Sequence, residues 1–147
     1  MTTVRHWEVV EAPPEEVWAV VSDPRNLPRW NRYIRSVHGV PQNGLRPGSR
    51  YWTQLAVMGV TFRVDAEVEE IDPPRFARVR LSGPVDAIVR TWVRPAGRDR
   101  SRLEHEVDYR LRGGPIGGIV ARGLRVFGAP TLLRRGVRAQ KRHAEGR

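Results

Sequence analysis

From Leu103 to Leu111 apolar and charged positions alternate without a slip. Leu103, His105, Val107, Tyr109 and Leu111 fall on one side of an extended chain, and Glu104, Glu106, Asp108 and Arg110 on the other. This period predicts a strand with one inward and one wet face, and the inward face carries an imidazole and a phenol. Such groups cost on the order of 1–3 kcal/mol when taken out of water without a partner, so they are bonded to neighbours, to trapped water or to a ligand. The pattern predicts a hollow protein.

The rest of the chain supplies the walls. Val4 to Glu11 reads as a first strand. It is followed by Ala12-Pro13-Pro14-Glu15-Glu16-Val17-Trp18, where proline in the first turn and two glutamates beside the positive end of the dipole start a helix. Val17, Val20 and Val21 give this helix an apolar stripe, and Trp18 belongs with the core. Asp23-Pro24 begins a second short helix that Pro28 limits, with Trp30 at its end. Turn signals at Asn43-Gly44, Pro47-Gly48, Met58-Gly59, Asp72-Pro73-Pro74, Gly83-Pro84 and Pro95-Ala96-Gly97 then cut the chain into strand-length pieces. Phe62 to Glu69 and Ala77 to Leu81 alternate regularly. Val85, Ala87, Val89, Thr91 and Val93 share a face opposite Ile88 and Trp92. Short turns between such pieces predict an antiparallel meander. From Pro115 to Ala144 the period becomes helical, predicting one long C-terminal helix over about 115–144, weakened by five glycines and bent or interrupted at Pro130.

At 147 residues and 39% hydrophobic composition the chain is expected to form one folded domain over 1–147. Without an apolar run long enough for a signal or a span, a cytoplasmic location is expected. Having no cysteine excludes disulfides, thiolate catalysis and cysteine-ligated metals. His6, His38, His105 and His143 show no ligand spacing, so neither a metal nor another cofactor is expected. The net charge of +10 is concentrated at the end of the chain, where eight basic residues from Arg122 onward face one acid, Glu145. That cluster, with Arg134, Arg135, Arg138, Lys141 and Arg142, reads either as the solvated face of the last helix or as a contact for RNA or an anionic membrane. No aromatic residues are interleaved with these arginines as a single-strand stacking platform requires.

A strand, a helical hairpin, six more antiparallel strands and a C-terminal helix make an α+β chain with the order of the helix-grip fold. The chain resembles the START/Bet v1-like superfamily, in the branch of small bacterial proteins similar to polyketide cyclases and lipid-transport proteins. The carrying residues are Ala12 to Trp18, Ser22-Asp23-Pro24, Leu27-Pro28-Arg29-Trp30, Pro47-Gly48-Ser49 and Val68-Glu69-Glu70-Ile71-Asp72-Pro73-Pro74-Arg75. The resemblance implies a curved seven-stranded antiparallel sheet wrapped around a long C-terminal helix, with two short helices between the first two strands. It also implies a long cavity between sheet and helix that holds an apolar or aromatic small molecule.

The inward faces name the expected lining: Tyr51, Thr53, Leu55, Val64, Val89, Thr91, His105, Val107 and Tyr109 from the strands, Trp30 from the hairpin, and Leu124 and Phe127 from the long helix. Each has a plainer reading: Trp30 as packing near the mouth, Thr91 bonded to backbone, and His105 and Tyr109 satisfying each other or water. His6 and Glu8 share a face of the first strand, and its register leaves their direction open. The leading functional reading is a noncatalytic carrier of a lipid, polyketide or similar metabolite, with His105 and Tyr109 orienting its oxygens. A second is a polyketide aromatase or cyclase with His105 as general base and Tyr109 as donor to an enolate oxygen. A third is docking of the basic helix on an anionic partner. Ile88 with Trp92, or Ile119 with Val126, would serve a homodimer.

Overall fold

The structure, a computed structural model, describes residues 2–146 and all of their side chains except those of residues 124–127. Seven antiparallel strands form one sheet: β1 (Thr2–Val10), β2 (Ile34–His38), β3 (Arg50–Val57), β4 (Val60–Asp72), β5 (Phe76–Ser82), β6 (Val85–Pro95) and β7 (Ser101–Leu111), in the order β1-β7-β6-β5-β4-β3-β2. Every step from β2 to β7 joins sheet neighbours, as short turns require, and the last strand of the meander closes on the first strand of the chain. Two short helices, α1 (Pro14–Val21) and α2 (Leu27–Trp30), fill the gap between β1 and β2. Pro14 stands in the first turn of α1 with Glu15 and Glu16, and the Asp23 carboxylate caps the turn that follows by accepting from the Arg25 backbone N–H. The Arg25 guanidinium also bonds Asp23 and holds its pKa below the usual carboxylate range.

The C-terminal segment departs from the expectation of one kinked helix. It is two helices, α3 (Pro115–Phe127) and α4 (Ala129–Ala144), parted at Gly128, whose φ of 78° lies in the left-handed region. Pro130 occupies the first turn of α4, where its missing N–H costs nothing, so the break falls just ahead of the proline. α4 packs along β1 and against α1, α2 and β7, while α3 reaches β3 and β7.

The packed interior is divided. Val10, Ala12, Val17, Trp18, Val93, Leu103 and Val137 form one buried cluster where α1 and α4 meet the sheet. Phe62, Val64 and Val120 form a smaller one toward α3. The outer face of β7 also differs from the simple wet face expected of it. Glu104 and Glu106 are buried, because β7 is flanked on both sides and arginines from its neighbours fold over it. Arg94 and Arg102 pair with Glu104, and Arg5 and Arg90 with Glu106.

Candidate functional site

The register of the sheet sets out the inner face as three transverse rows. Tyr51 lies opposite Ala66, then Leu81, Ala87 and Tyr109. Two residues further along each strand, Val68, Val79, Val89, Val107 and Val4 form a row made wholly of valine. Beyond it come Ala77, Thr91, His105 and His6. At the usual rise of a strand, successive rows stand about 7 Å apart. A band of branched aliphatic side chains therefore separates a tyrosine end from an imidazole end.

Over this floor lies a cavity of about 410 Å³. Val4, Val79, Val89 and Val107 line it from the valine row, and Tyr51, Ala66, Leu81, Ala87 and Tyr109 from the tyrosine row. Thr53, Leu55, Val57, Phe62 and Val64 close the side formed by β3 and β4, with Tyr33 and Ile34 from the chain entering β2. Leu27, Trp30 and Asn31 come from the end of the helical hairpin, Val120 and Gly123 from α3, and Leu132, Leu133, Gly136, Val137 and Gln140 from α4.

Of the residues expected from the sequence, Trp30, Tyr51, Thr53, Leu55, Val64, Val89, His105, Val107 and Tyr109 lie in this wall. Leu124 and Phe127, like Val126 of the suggested self-association face, have side chains outside the described ones. Thr91 is displaced from the expectation: it is not in the wall, because its hydroxyl is spent on His105 Nδ1 at 2.8 Å across the β6–β7 pair. The other ring nitrogen, Nε2, meets Gln140 Oε1 at 2.8 Å. The amide oxygen can only accept, so Nε2 donates, and in the neutral ring that burial favours Nδ1 then accepts from the Thr91 hydroxyl. Burial holds the pKa of His105 below its ordinary value, opposed by the Gln140 bond and assisted by His6 across the strand pair.

The partner of His105 is thus a glutamine on α4 and not Tyr109. Gln140 was not singled out from the sequence because it sits among basic residues and passes for part of a solvated face. Its spacing carries the signal: Leu133, Val137, Gln140 and Ala144 continue one helical stripe, and the first two are apolar wall residues. Tyr33 and Asn31 were missed for a different reason, since they stand in a short irregular connection without period.

Tyr51 and Tyr109 line the cavity with no hydrogen-bond partner for either phenol among the described residues. Burial alone pushes the Tyr51 phenol up to about 12, so it is a donor at any physiological pH. Trp30 stands edge-on to His143 with ring centroids 5.5 Å apart, and its buried indole N–H finds no acceptor among the described residues.

His6 and Glu8 point to the inner side of β1 but stay out of the cavity wall. They bond each other at 2.5 Å, and Glu8 also lies 3.8 Å from Arg138. Within the terminal basic cluster, Lys141 is tied to the Val9 carbonyl and to Glu145. Arg134, Arg135 and Arg142 complete that cluster on α4. No group of three or more potential metal ligands gathers among the described residues, and no helix there is long and apolar enough to cross a membrane.

The sequence matches the family model described as polyketide cyclase / dehydrase and lipid transport over residues 1–145. The chain belongs to that family. Solved structures share its fold at low identity. The Zhui aromatase/cyclase from Streptomyces sp. R1128 superposes with a TM-score of 0.78 at 18% identity, covering 98% of this chain and 93% of that one. A START superfamily protein from Mycobacterium smegmatis gives 0.68 at 18%, covering 96% and 97%. A protein from Deinococcus radiodurans gives 0.71 at 19%, covering 98% of each chain. Comparison with curated proteins finds no match. The helix-grip architecture of this family member is therefore held by patterning and not by shared residues.

Proposed function

We propose that the protein binds and carries a small hydrophobic molecule in the cavity between its sheet and α4. The observation that carries this reading is the floor of valines beneath a cavity of about 410 Å³, a volume and lining suited to a small organic ligand. The family description, which joins lipid transport to cyclisation, supports it. Catalysis is the less favoured use of the same space. A general base needs a free lone pair, and in His105 one nitrogen accepts from Thr91 while the other donates to Gln140. The imidazole in this reading is a positioning residue that fixes α4 against β7.

The test uses the fluorescent hydrocarbon 1,6-diphenyl-1,3,5-hexatriene. Its emission is expected to rise on mixing with the protein and to lose that rise in Val89→Phe, which fills the middle of the floor. The melting temperature of the variant is expected to hold, since a void and not a packed neighbour receives the ring. An undiminished rise in the variant would place the probe elsewhere and remove the basis of the reading. Turnover of a poly-β-ketone mimic by the wild type, abolished in His105→Asn, would replace the carrier with an enzyme.

A further inference from the structure

The charges of this chain are sorted by face. On the outer side of the sheet the arginines are neutralised where they stand: Arg63 by Asp65, Arg78 by Glu69, Arg80 by Glu67, Arg90 by Asp108, Arg94 by Glu104 and Arg112 by Asp86. The helix side is different. Helices α2, α3 and α4 contain no acidic residue. Arg29 of α2, Arg122 of α3 and Arg134, Arg135 and Arg142 of α4 are exposed, and none of them forms an ion pair among the described residues. Because Leu133, Val137 and Gln140 turn inward, the period of about 3.6 residues places Arg134, Arg135, Arg138 and Arg142 on the opposite side of α4. Arg138 meets Glu8 only at 3.8 Å. Excess positive charge is thus concentrated over the helices that roof the cavity.

Two apolar tips share this side. Met58, at the turn between β3 and β4, is 55% exposed, and Ile116, at the start of α3, is 37% exposed. Val57, next to Met58, lies against α3, where a Cβ at Gly123 would come within 3.2 Å of it, so both tips stand at the same end of the molecule as Arg122. Trp7, the other exposed large apolar side chain among the described residues, is instead covered by the Arg102 guanidinium, 4.2 Å from its ring. We propose that α2, α3, α4 and the β3–β4 turn form a docking face for an anionic lipid bilayer, with the unpaired arginines on the headgroups and Met58 and Ile116 entering between them. Arginines without internal partners are free to meet lipid phosphates, whereas the paired arginines of the sheet would first have to leave their carboxylates. The shape of the face favours a bilayer over nucleic acid. α4 is bedded between β1 and α2, so its arginines lie flush and present no helix or ribbon that could enter a groove. Among the described residues, no exposed tryptophan, tyrosine or phenylalanine stands beside them as a platform for unpaired bases. A flat cationic face with apolar points at its margin complements a charged plane over an oily one. Docked this way, the roof of the cavity faces the lipid, whatever the cavity holds.

Sedimentation with vesicles tests the face on the full chain. Wild-type protein is expected to bind phosphatidylcholine vesicles containing one-third phosphatidylglycerol, to ignore pure phosphatidylcholine, and to be mostly released as sodium chloride rises from about 0.05 to about 0.5 M. In Arg134→Gln/Arg135→Gln/Arg142→Gln the binding is expected to fall on the order of 100-fold, at roughly 5-fold for each basic residue near the surface. The comparison variant Arg63→Gln/Arg75→Gln/Arg80→Gln removes the same charge from exposed pairs on the sheet side, and its binding is expected to fall by less than about 5-fold. Met58→Ser/Ile116→Ser is expected to lose the fraction still bound at about 0.5 M salt, where headgroup charge is screened. An unchanged fraction there would strike the apolar points from the face. Equal losses in the two triple variants would reduce the effect to net charge and overturn the proposal, as would equal binding to the two kinds of vesicle. Tighter binding of a single-stranded RNA, lost in the α4 variant, would assign the same arginines to nucleic acid and overturn the bilayer.

Discussion

Between pH 7.5 and 5 the stability of this protein is expected to fall, and His105 is a specific cause. Its folded-state pKa is held below the unfolded value of about 6.5, chiefly by burial, so on acidification the unfolded chain takes up a proton before the folded one does. The stabilisation from this group is complete above about pH 6.5 and is lost as pH falls toward the depressed folded value, with a limiting slope of roughly 1.4 kcal/mol per pH unit. Calorimetric melting of His105→Asn over the same range is expected to show a shallower decline than the wild type. Parallel declines would refute this role. The inward register of His105 and Tyr109 was legible from nine residues of alternation. The partner of the imidazole was not, because Gln140 is 35 residues away and strand periodicity says nothing about which helix face arrives above it.

At the scale of elements, the two adjacent glycines at the start of α3 have opposite meanings. A Cβ at Gly117 would stand 1.8 Å from the Arg112 carbonyl oxygen, whereas one at Gly118 would meet nothing within 4 Å. Gly117→Ala is expected to destabilise the protein by about 1–3 kcal/mol or to displace the start of α3. Gly118→Ala is expected to stabilise it by up to about 1 kcal/mol, since alanine is the better helix former. Urea unfolding of the two variants checks both signs. Composition marks all the glycines of this segment as weak points and cannot tell a required one from a dispensable one. The break at Gly128 shows the same limit: Pro130 was a visible signal, but proline is tolerated in a first turn, and the interruption moves to the residue that can adopt positive φ. Strands β4, β5 and β7 were more legible because apolar and charged residues alternate along them, whereas Ile34–His38 shows no such period. What alternation could not show was that the wet face of a central strand such as β7 would be roofed by arginines from β1 and β6.

For the molecule as a whole, the net charge of +10 and the many arginine-to-carboxylate pairs on the outer face act in opposite directions under salt. Exposed pairs contribute little each, and screening them costs correspondingly little, while screening the excess positive charge relieves repulsion. The melting temperature is therefore expected to hold or rise between about 0.05 and about 0.5 M sodium chloride, and a steep fall would show the ion pairs to be a main support. Element order, strand count and the hollow interior were all legible in the chain, because each follows from period, turn residues and inward polar groups. The size of the hollow was not, since it is what remains after two core clusters, α2, α3 and α4 have packed around it. Its floor has one further property. Valine branches at Cβ and has a single side-chain torsion with a strongly preferred setting, so this floor is stiff and cannot reshape itself around a guest. A guest one methyl too broad meets an unyielding surface, and congeners will be sorted by girth more sharply than by length.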